Sequence, residues 1–325
     1  MAVYTQIGAE ALAALVAEYD VGELVSAKGI AEGVSNSNWL IETTGADGTG
    51  ARFILTMYEL RIEIADLPYF LSLLDHLAAR DCPVPRTIHD RDGKLFRFRE
   101  DKAVALIEFL PGVSVSEPTV AQARAVGEAL ARMHLAAADF PGERANAMGA
   151  AEWQRLAAEC SPEGLRSIDP LLADLVAREL PLLAAQWPDD LPRSVIHADL
   201  FPDNVLMLGN RVTGLIDFYF ACNDLTAYDV AVTHAAWCFG DGGHRFRADL
   251  STALLEGYES LRPLSAQERA ALPLLARGAA MRFALSRAYD WLNTPAGALV
   301  TRKDPMGPAR QLQFYADPAN AAVFA

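Results

Sequence analysis

The sequence predicts an α+β fold with two lobes, a small and mostly antiparallel β lobe followed by a larger helical lobe. Three observations lead to this prediction. Strand-like apolar runs are concentrated before residue 110, helical periodicity dominates after it, and Leu110-Pro111-Gly112 interrupts the chain between the two regions. We therefore expect a first lobe over residues 1–110 and a second over residues 111–325, with the boundary near 108–112.

The first lobe is predicted to begin with a helix that Thr5 opens, because apolar side chains recur on about one face from Ile7 to Tyr19. A second amphipathic pattern predicts a helix over 66–79. The turn pair Asp92-Gly93 predicts a hairpin before the last strand. The strand patterns cover residues 23–30, 39–41, 52–58 and 102–109. Together they predict a mostly antiparallel sheet.

Helical patterns dominate the second lobe, but a pair of apolar, strand-like runs interrupts them. These runs cover 205–208 and 211–216, and Gly209-Asn210 between them fits a tight hairpin turn. Such a hairpin would carry Asp217 back toward Asn204. The helical patterns cover residues 118–138, 151–159, 169–186, 226–238, 245–260 and 265–291.

Four polar side chains mark this hairpin: His197, Asp199, Asn204 and Asp217. Asp199 and Asn204 have the spacing of the acid and the amide in the catalytic loop H-R-D-x-x-x-x-N of kinases. Asp217, followed by Phe218, takes the place of the metal-binding acid in D-F-G. Carboxylate and amide oxygens are ligands that Mg²⁺ prefers. The pattern indicates phosphoryl transfer from ATP, with Asp199 beside the acceptor hydroxyl and Asn204 and Asp217 on the metal.

The same residues have an ordinary structural interpretation when each is taken singly. Asp and Asn are common in turns, and Pro202-Asp203-Asn204 alone would serve as one. The spacing, the apolar approach strand and the acid that ends the hairpin together favour a catalytic site. His197 belongs to the same candidate site, and we expect it to hold the loop through backbone contacts rather than to take part in the chemistry.

Two further segments are candidates for nucleotide contacts. The polar loop between the first two strands has the form of a flap over phosphates, and backbone groups at the lobe boundary could bond an adenine edge. Ordinary turns would produce the same composition. With Thr56 on the third strand, the candidates are Gly33, Ser35, Asn36, Asn38, Glu108, Phe109 and Leu110.

Composition excludes several other classes of protein. The 28 basic and 42 acidic side chains give a net charge of −14, which argues against nucleic acid or an anionic membrane as a partner. No G-x-x-x-x-G-K-[ST] phosphate loop occurs. The four cysteines are far apart, which favours reduced thiols over disulfides or a zinc site. The first residues lack a basic region and no apolar run approaches about 18 residues, so we expect a cytoplasmic protein.

Three segments carry a resemblance to known proteins: His197–Asn204, Gly214–Tyr219 and Tyr228-Asp229. They resemble the aminoglycoside-phosphotransferase and choline-kinase-like group of small-molecule kinases, which implies a protein-kinase-like fold. Within that group the chain is similar to the bacterial homoserine kinases over nearly its whole length. The segments that carry this narrower similarity are Ile30–Gly33 with Ser35–Asn38, Asp66-Leu67-Pro68, Phe218–Cys222 and Tyr289–Asn293.

The resemblance implies a reaction and a set of roles. The γ-phosphate of ATP would pass to the hydroxyl of L-homoserine and give O-phosphohomoserine, on the route to threonine. By the same resemblance Asp199 is the catalytic carboxylate, Asn204 and Asp217 hold magnesium, and Asp229 supports the catalytic segment. Oligomeric state is left open.

One departure from the general kinase pattern concerns the third strand. Kinases usually carry a lysine there that pairs with the α- and β-phosphates, whereas Thr56 occupies that place here. Arg52 and Arg61 are the candidates to take over this role. The Gly-Ser-rich loop of the galactokinase-like lineage of homoserine kinases is absent.

An amino-acid acceptor needs partners for its carboxylate and its ammonium group, which implies a guanidinium and an acid. Arg282 and Arg287 on the last long helical pattern are candidates, although structural ion pairing explains them more readily than substrate binding does. Tyr219, Asn223 and Asp224 follow the expected metal ligand and are further candidates for the acceptor pocket. They could also serve only to shape the loop.

Two alternative functions keep the same hairpin. A kinase of the same fold could act on an aminoglycoside, choline, hydroxylysine or a methylthio-sugar, with other groups in its acceptor pocket. A non-catalytic nucleotide-binding protein would explain the missing strand lysine but leaves the Asp199, Asn204 and Asp217 set without a purpose.

Overall fold

The computed structural model describes residues 7–30, 36–59, 62–294 and 302–324. The chain forms two compact units, Met1–Pro111 and Gly112–Ala325. The first contains an antiparallel sheet and two helices, and the second is mostly helical. The predicted fold class is confirmed. Thr5, Gly33, Ser35 and Arg61 of the sequence predictions lie outside the described residues.

The first unit is built on a six-stranded sheet in the order β1-β2-β3-β6-β4, with β5 paired to β6. Every pair in it is antiparallel. The strands are β1 (Leu24–Gly29), β2 (Asn36–Thr43), β3 (Ala51–Tyr58), β4 (Thr87–Ile88), β5 (Arg97–Arg99) and β6 (Lys102–Glu108). The helices are α1 (Ala9–Val16) and α2 (Leu67–Ala78).

One face of this sheet packs on α1. Alternate residues of β2 and β3, among them Ile41 and Leu55, join Leu12 and Leu15 of the helix in a buried apolar cluster. Because successive side chains of a strand point to opposite faces, Thr56 lies on the other face of the sheet. The alternation of side chains along β3 therefore directs Thr56 away from this apolar cluster.

The structure extends the sequence prediction in the first unit. β2 is longer than the predicted run 39–41 because its first residues are polar and still pair with β3. Gly93 N–H donates to the Asp90 carbonyl at 2.9 Å, which closes the predicted turn at Asp92-Gly93. The short strand β5 then intervenes before β6, and sequence patterning did not predict it.

The second unit contains eight α-helices among the described residues, with short strand pairs between them. The helices are α3 (Val120–Ala136), α4 (Ala150–Cys160), α5 (Pro162–Ile168), α6 (Pro170–Gln186), α7 (Thr226–Trp237), α8 (Ala248–Glu259), α9 (Ala266–Asn293) and α10 (Met306–Ala316). The strands are β7 (Arg193–Ile196), β8 (Val205–Leu208), β9 (Arg211–Leu215), β10 (Cys222–Leu225), β11 (Phe239–Gly240) and β12 (Arg245–Phe246).

Six of these helices were predicted and two, α5 and α10, were not. α5 begins at Pro162 after the cap Ser161, whose Oγ accepts from Gly164 N–H at 3.1 Å. The start signal was therefore present, but seven residues are too few to display a helical period. No helix in the described parts of the chain is long and apolar enough to cross a membrane.

The elements that carry the candidate site are β7, the β8–β9 hairpin, α7 and α9. β8 and β9 pair as predicted, and Gly209 at their turn has a φ of 62°, a left-handed conformation that glycine adopts without strain. α7 is buried on nearly all sides. Its polar side chains Asp229 and His234 must therefore find partners inside the protein.

Candidate active site

The loop between β7 and β8 carries His197, Asp199 and Asn204, and its backbone is bent sharply. Ala198 has a φ of 62°, a left-handed conformation that costs a residue with a Cβ about 1 kcal/mol or more. Such a conformation persists only where surrounding groups enforce it. Two buried side chains from other elements, Asp229 and Arg282, supply those contacts.

Asp229 on α7 binds the backbone of this loop directly. Its Oδ2 accepts from the His197 N–H at 2.7 Å, and its Oδ1 accepts from the Ala198 N–H at 2.8 Å. His134 on α3 lies 3.0 Å from the same Oδ2 through its Nε2. Burial alone would raise the pKa of Asp229, but the hydrogen bond and charge of His134 lower it. Asp229 is therefore an ionised anchor behind the loop.

Arg282 on α9 holds the next backbone group. Its Nη1 donates to the Ala198 carbonyl, and its guanidinium lies 5.2 Å from the Phe220 ring centre and 4.7 Å from that of Phe283. The side chain is almost completely buried. The structure thus places this predicted substrate residue against the loop between β7 and β8, where its positive charge faces the carbonyl oxygen of Ala198.

His197 ties the loop to the end of β9. Its Nε2 lies 3.0 Å from the Ile216 carbonyl, and its Nδ1 lies 3.3 Å from the Asp199 N–H. Because one nitrogen faces an acceptor and the other a donor, the proton belongs on Nε2. Burial lowers the pKa of His197, so the ring is neutral. These contacts agree with the structural role predicted for this histidine.

Asn204 has its side chain oriented by Asp199. Its Nδ2 donates to the Asp199 carbonyl at 2.8 Å and to Asp199 Oδ2 at 3.2 Å. The Ile216 N–H donates to the Asn204 carbonyl at 3.0 Å, which joins the loop to the hairpin. With its amide nitrogen used in this way, Asn204 presents Oδ1 as the atom for a cation.

Asp217 follows β9 in a left-handed conformation, with a φ of 64°. The next residue, Phe218, packs its ring 4.5 Å from that of His197, so the hairpin end and the loop are fixed to each other. Loss of hydrating water to the surrounding protein raises the pKa of Asp217 to about 6, and the charge of Asp203 adds to this. Its side chain still borders solvent.

Asp199 is the more enclosed of the two acids. Burial raises the pKa of Asp199 to about 7; Arg282 opposes this shift and Asp217 adds to it. An acid whose pKa is raised by burial and by a neighbouring carboxylate favours a bound cation, because the positive charge would lower that pKa again. In the described residues no three His, Cys, Asp or Glu side chains gather as a metal site. A hard cation held by two acids and one amide would need further oxygen ligands, as Mg²⁺ does when it binds phosphates.

Arg287 and Lys303 bring positive charge to the same loop. The Arg287 guanidinium lies 5.8 Å from the Phe201 ring centre, and the Lys303 ammonium lies 5.9 Å from it. Arg287 was predicted as a substrate residue, whereas sequence analysis missed Lys303. Lysine in an irregular segment between helices has no pattern that would single it out.

The candidates that follow Asp217 have other neighbours. Asn223 Oδ1 accepts from the Arg144 N–H at 2.8 Å, and Asp224 Oδ2 accepts from Asn146 Nδ2 at 2.7 Å. These bonds fasten β10 to the 144–146 segment. Tyr219 is half-buried in the short turn Phe218–Phe220, two residues after Asp217. Of the three candidates it lies nearest to Asp217 along the chain.

The nucleotide candidates of the first unit fall at two ends of β3. At one end, Thr56 Oγ1 donates to Asn38 Oδ1 at 2.8 Å, and the buried Oδ1 of Asn36 has no hydrogen-bond partner among the described residues. At the other end, the Arg52 guanidinium lies 4.8 Å from the Phe109 ring centre. Thr56 lies four positions after Arg52 on β3, which is a distance of about 13 Å along the strand. Arg52 thus lies with the boundary residues and away from the place of the missing lysine.

The remaining boundary candidates, Glu108 and Leu110, lie at the end of β6 and just beyond it. The Glu108 carboxylate pairs with the Arg86 guanidinium at 3.3 Å, and the backbone N–H of Glu108 donates to the Arg86 carbonyl at 2.9 Å. Leu110 is half-buried, like Phe109 before it. The side chain of Glu108 is therefore engaged in the sheet, and only backbone atoms of this segment remain as candidates for base contacts.

The model of the phosphotransferase enzyme family matches residues 26–264. The chain belongs to this family of kinase-like enzymes. Among its relatives is a homoserine kinase of Granulibacter bethesdensis, 48% identical over 324 residues that cover 100% of this chain and 99% of the relative. A homoserine kinase of Acidiphilium cryptum is 50% identical with the same coverage of both chains.

Solved structures of low sequence identity share the fold. An amicoumacin kinase in complex with AMP-PNP and Ca²⁺ matches with a TM-score of 0.68 at 15% identity, over 95% of this chain and 93% of that chain. The predicted resemblance is confirmed at the level of the family, and the fold class is that of protein-kinase-like phosphotransferases.

Proposed function

We propose that this protein transfers the γ-phosphate of ATP to the hydroxyl of L-homoserine and releases O-phospho-L-homoserine and ADP. The relatives that are 48–50% identical over nearly their full length support the choice of acceptor. The observation that carries the chemistry is the bond from Asn204 Nδ2 to Asp199, which orients an amide oxygen beside the catalytic acid. Asp217 completes a set of oxygen donors suited to phosphoryl transfer.

In this proposal Asp199 acts on the acceptor hydroxyl. The hydroxyl oxygen forms a bond to the γ-phosphorus, the bond from that phosphorus to the ADP oxygen breaks, and the hydroxyl proton passes to an Asp199 oxygen. Because the transition state of phosphoryl transfer is loose, the proton leaves late and the carboxylate mainly aligns the attacking oxygen. Asp229 and Arg282 keep the loop backbone in the bent conformation that places this carboxylate.

Asn204 Oδ1 and Asp217 fit a magnesium ion, since both are hard oxygen donors on adjoining segments. The ion would neutralise negative charge on the phosphates. For the nucleotide we propose the first unit, with Asn36, Asn38 and Thr56 near the phosphates and the backbone of 108–110 near the base. The amide N–H groups of Asn36 and Asn38 support this assignment, because phosphate oxygens act as hydrogen-bond acceptors.

A coupled ADP-release assay tests the proposed acceptor. The purified protein would be supplied with MgATP and, separately, with L-homoserine, L-serine, L-threonine, choline or an aminoglycoside. We expect the highest kcat/KM with homoserine. A higher value with choline or the aminoglycoside would contradict the proposed acceptor and keep the phosphotransferase chemistry. ATP binding without ADP release on any alcohol would contradict catalysis itself.

A further inference from the structure

Two cations from separate elements converge on one aromatic ring of the catalytic loop. Arg287 extends from α9 and Lys303 from the segment before α10, and both charged groups lie within 6 Å of the Phe201 ring centre. Phe201 is two residues from Asp199, with its N–H bonded to the Asp199 carbonyl at 2.8 Å. The two cations therefore border the place where the acceptor hydroxyl must lie.

Arg287 has no carboxylate partner among the described residues. Its one hydrogen bond there runs from Nη1 to the Asp304 carbonyl at 3.3 Å, a long contact to a neutral acceptor. The side chain is half-buried. Burial lowers the pKa of Arg287, while the charges of Asp199, Asp304 and Asp203 oppose the shift. A partly desolvated guanidinium with unused donors favours an anionic ligand.

Lys303 has a partner that it can exchange. Its Nζ lies 3.5 Å from Asp203 Oδ2, and both side chains are 63% exposed. Exposed pairs of this kind contribute roughly 0–1 kcal/mol, so a ligand can replace the contact at little cost.

We propose that Arg287 and Lys303 bind the carboxylate of the amino-acid acceptor. This inference rests on the proposed function and specifies how the acceptor is recognised. Once its hydroxyl lies at Asp199, homoserine must direct its carboxylate to a site only a short carbon chain away. The two cations near the Phe201 ring provide such a site. The same pair would repel choline and other cationic alcohols, which gives specificity by exclusion as well as attraction.

The test separates binding of the acceptor from stabilisation of the transferring phosphoryl group, which is the other anion in the site. The variants Arg287→Ala, Arg287→Lys and Lys303→Ala would be assayed with L-homoserine and with 3-aminopropan-1-ol, which lacks the carboxylate. Arg302→Ala is the matched control, because it removes the same charge next to Lys303 and its guanidinium instead lies 5.0 Å from the Trp291 ring centre.

We expect Arg287→Ala to raise the KM for homoserine about 10- to 100-fold, which is the loss of affinity expected when a hydrogen-bonded ion pair is removed. The kcat and the KM for ATP should be nearly unchanged. Arg287→Lys should recover part of the loss, and Lys303→Ala should raise the same KM several-fold. Activity toward 3-aminopropan-1-ol should not fall in any variant, and Arg302→Ala should match the parent with both acceptors.

Two outcomes would overturn the inference. An unchanged KM for homoserine in both alanine variants would exclude carboxylate binding. A fall in kcat with an unchanged KM for homoserine would assign the cations to the phosphoryl group instead. If the parent protein itself does not phosphorylate homoserine, the proposed function is wrong. That result differs from an active parent protein whose variants keep the parental KM, which would contradict only this inference.

Discussion

Asp199 combines two properties that conflict in the absence of ligands. In the proposed reaction it presents a carboxylate to the acceptor, yet burial raises its pKa to about 7. A carboxyl group whose pKa is higher in the folded than in the unfolded chain opposes folding at neutral pH, because its charged form is better solvated after unfolding. The raised pKa of Asp199 therefore implies a cost in folding free energy at neutral pH.

The substitution Asp199→Asn separates these two properties. We expect turnover to fall by about 10² to 10⁴, since the amide cannot accept the hydroxyl proton. In metal-free buffer at pH 8 the thermal midpoint should stay the same or rise, because the variant lacks the unfavourable buried charge. Turnover by ADP release and unfolding by calorimetry check both expectations. Near-normal turnover, or a marked loss of stability, would contradict this role.

Asp229 contacts the loop through the backbone N–H groups of His197 and Ala198. Its two oxygens accept from His197 N–H, Ala198 N–H and His134, so each has an assigned donor. An asparagine has one acceptor oxygen only, and its amide nitrogen would face a backbone donor. The carboxylate is therefore specified by its partners.

We expect Asp229→Asn to lower the free energy of unfolding by about 3 kcal/mol, the cost of buried donors left without an acceptor, and to reduce kcat with it. Urea unfolding and ADP release measure the two effects. The exposed Asp190→Asn serves as the control for loss of one charge. A variant with parental stability would show that these bonds do not hold the bent loop.

At the scale of elements, α7 connects the site to the far side of the second unit. His234 follows Asp229 on α7 by a little more than one helical turn. Its Nδ1 lies 2.7 Å from the Tyr315 hydroxyl, and its Nε2 lies 2.8 Å from Ser251 Oγ. Burial lowers the pKa of His234 to about 3. The histidine is therefore neutral in the folded protein and joins α7, α8 and α10.

This helix contact should make the fold sensitive to acid. The unfolded chain binds a proton at His234 below about pH 6.5, whereas the folded chain does so only near pH 3, so stability falls as pH decreases through this window. The loss is about 1.4 kcal/mol for each pH unit below 6.5. We expect His234→Gln to reduce the difference in urea midpoint between pH 7.5 and pH 5 relative to the parent protein. An equal pH dependence in parent and His234→Gln would contradict this account.

At the scale of the whole molecule, the sequence was informative wherever the determinants are local. The β8–β9 hairpin could be predicted from two apolar runs and the turn pair Gly209-Asn210. The four candidate site residues could be grouped by their spacing because they lie on one short segment. Helix α5 and strand β5 were not predicted, because each is too short to show periodicity.

The supports of the site could not be predicted from local patterns because they come from distant parts of the chain. His134 lies 95 residues from Asp229, and Arg282 lies 84 residues from Ala198. Only the packing of α3, α7 and α9 brings them together. The need of an amino-acid acceptor for a guanidinium had made Arg282 a candidate for the substrate pocket, whereas in the structure Arg282 donates to the loop backbone at Ala198.

The central claim is that Asn204 and Asp217 share a magnesium ion beside Asp199. Its most direct test is the magnesium dependence of homoserine-stimulated ADP release in Asn204→Ala and Asp217→Ala, with Asn210→Ala at the hairpin turn as the control. We expect a higher magnesium requirement, or no activity, in the first two variants and parental behaviour in the third. Parental magnesium dependence in folded Asn204→Ala and Asp217→Ala would contradict the claim.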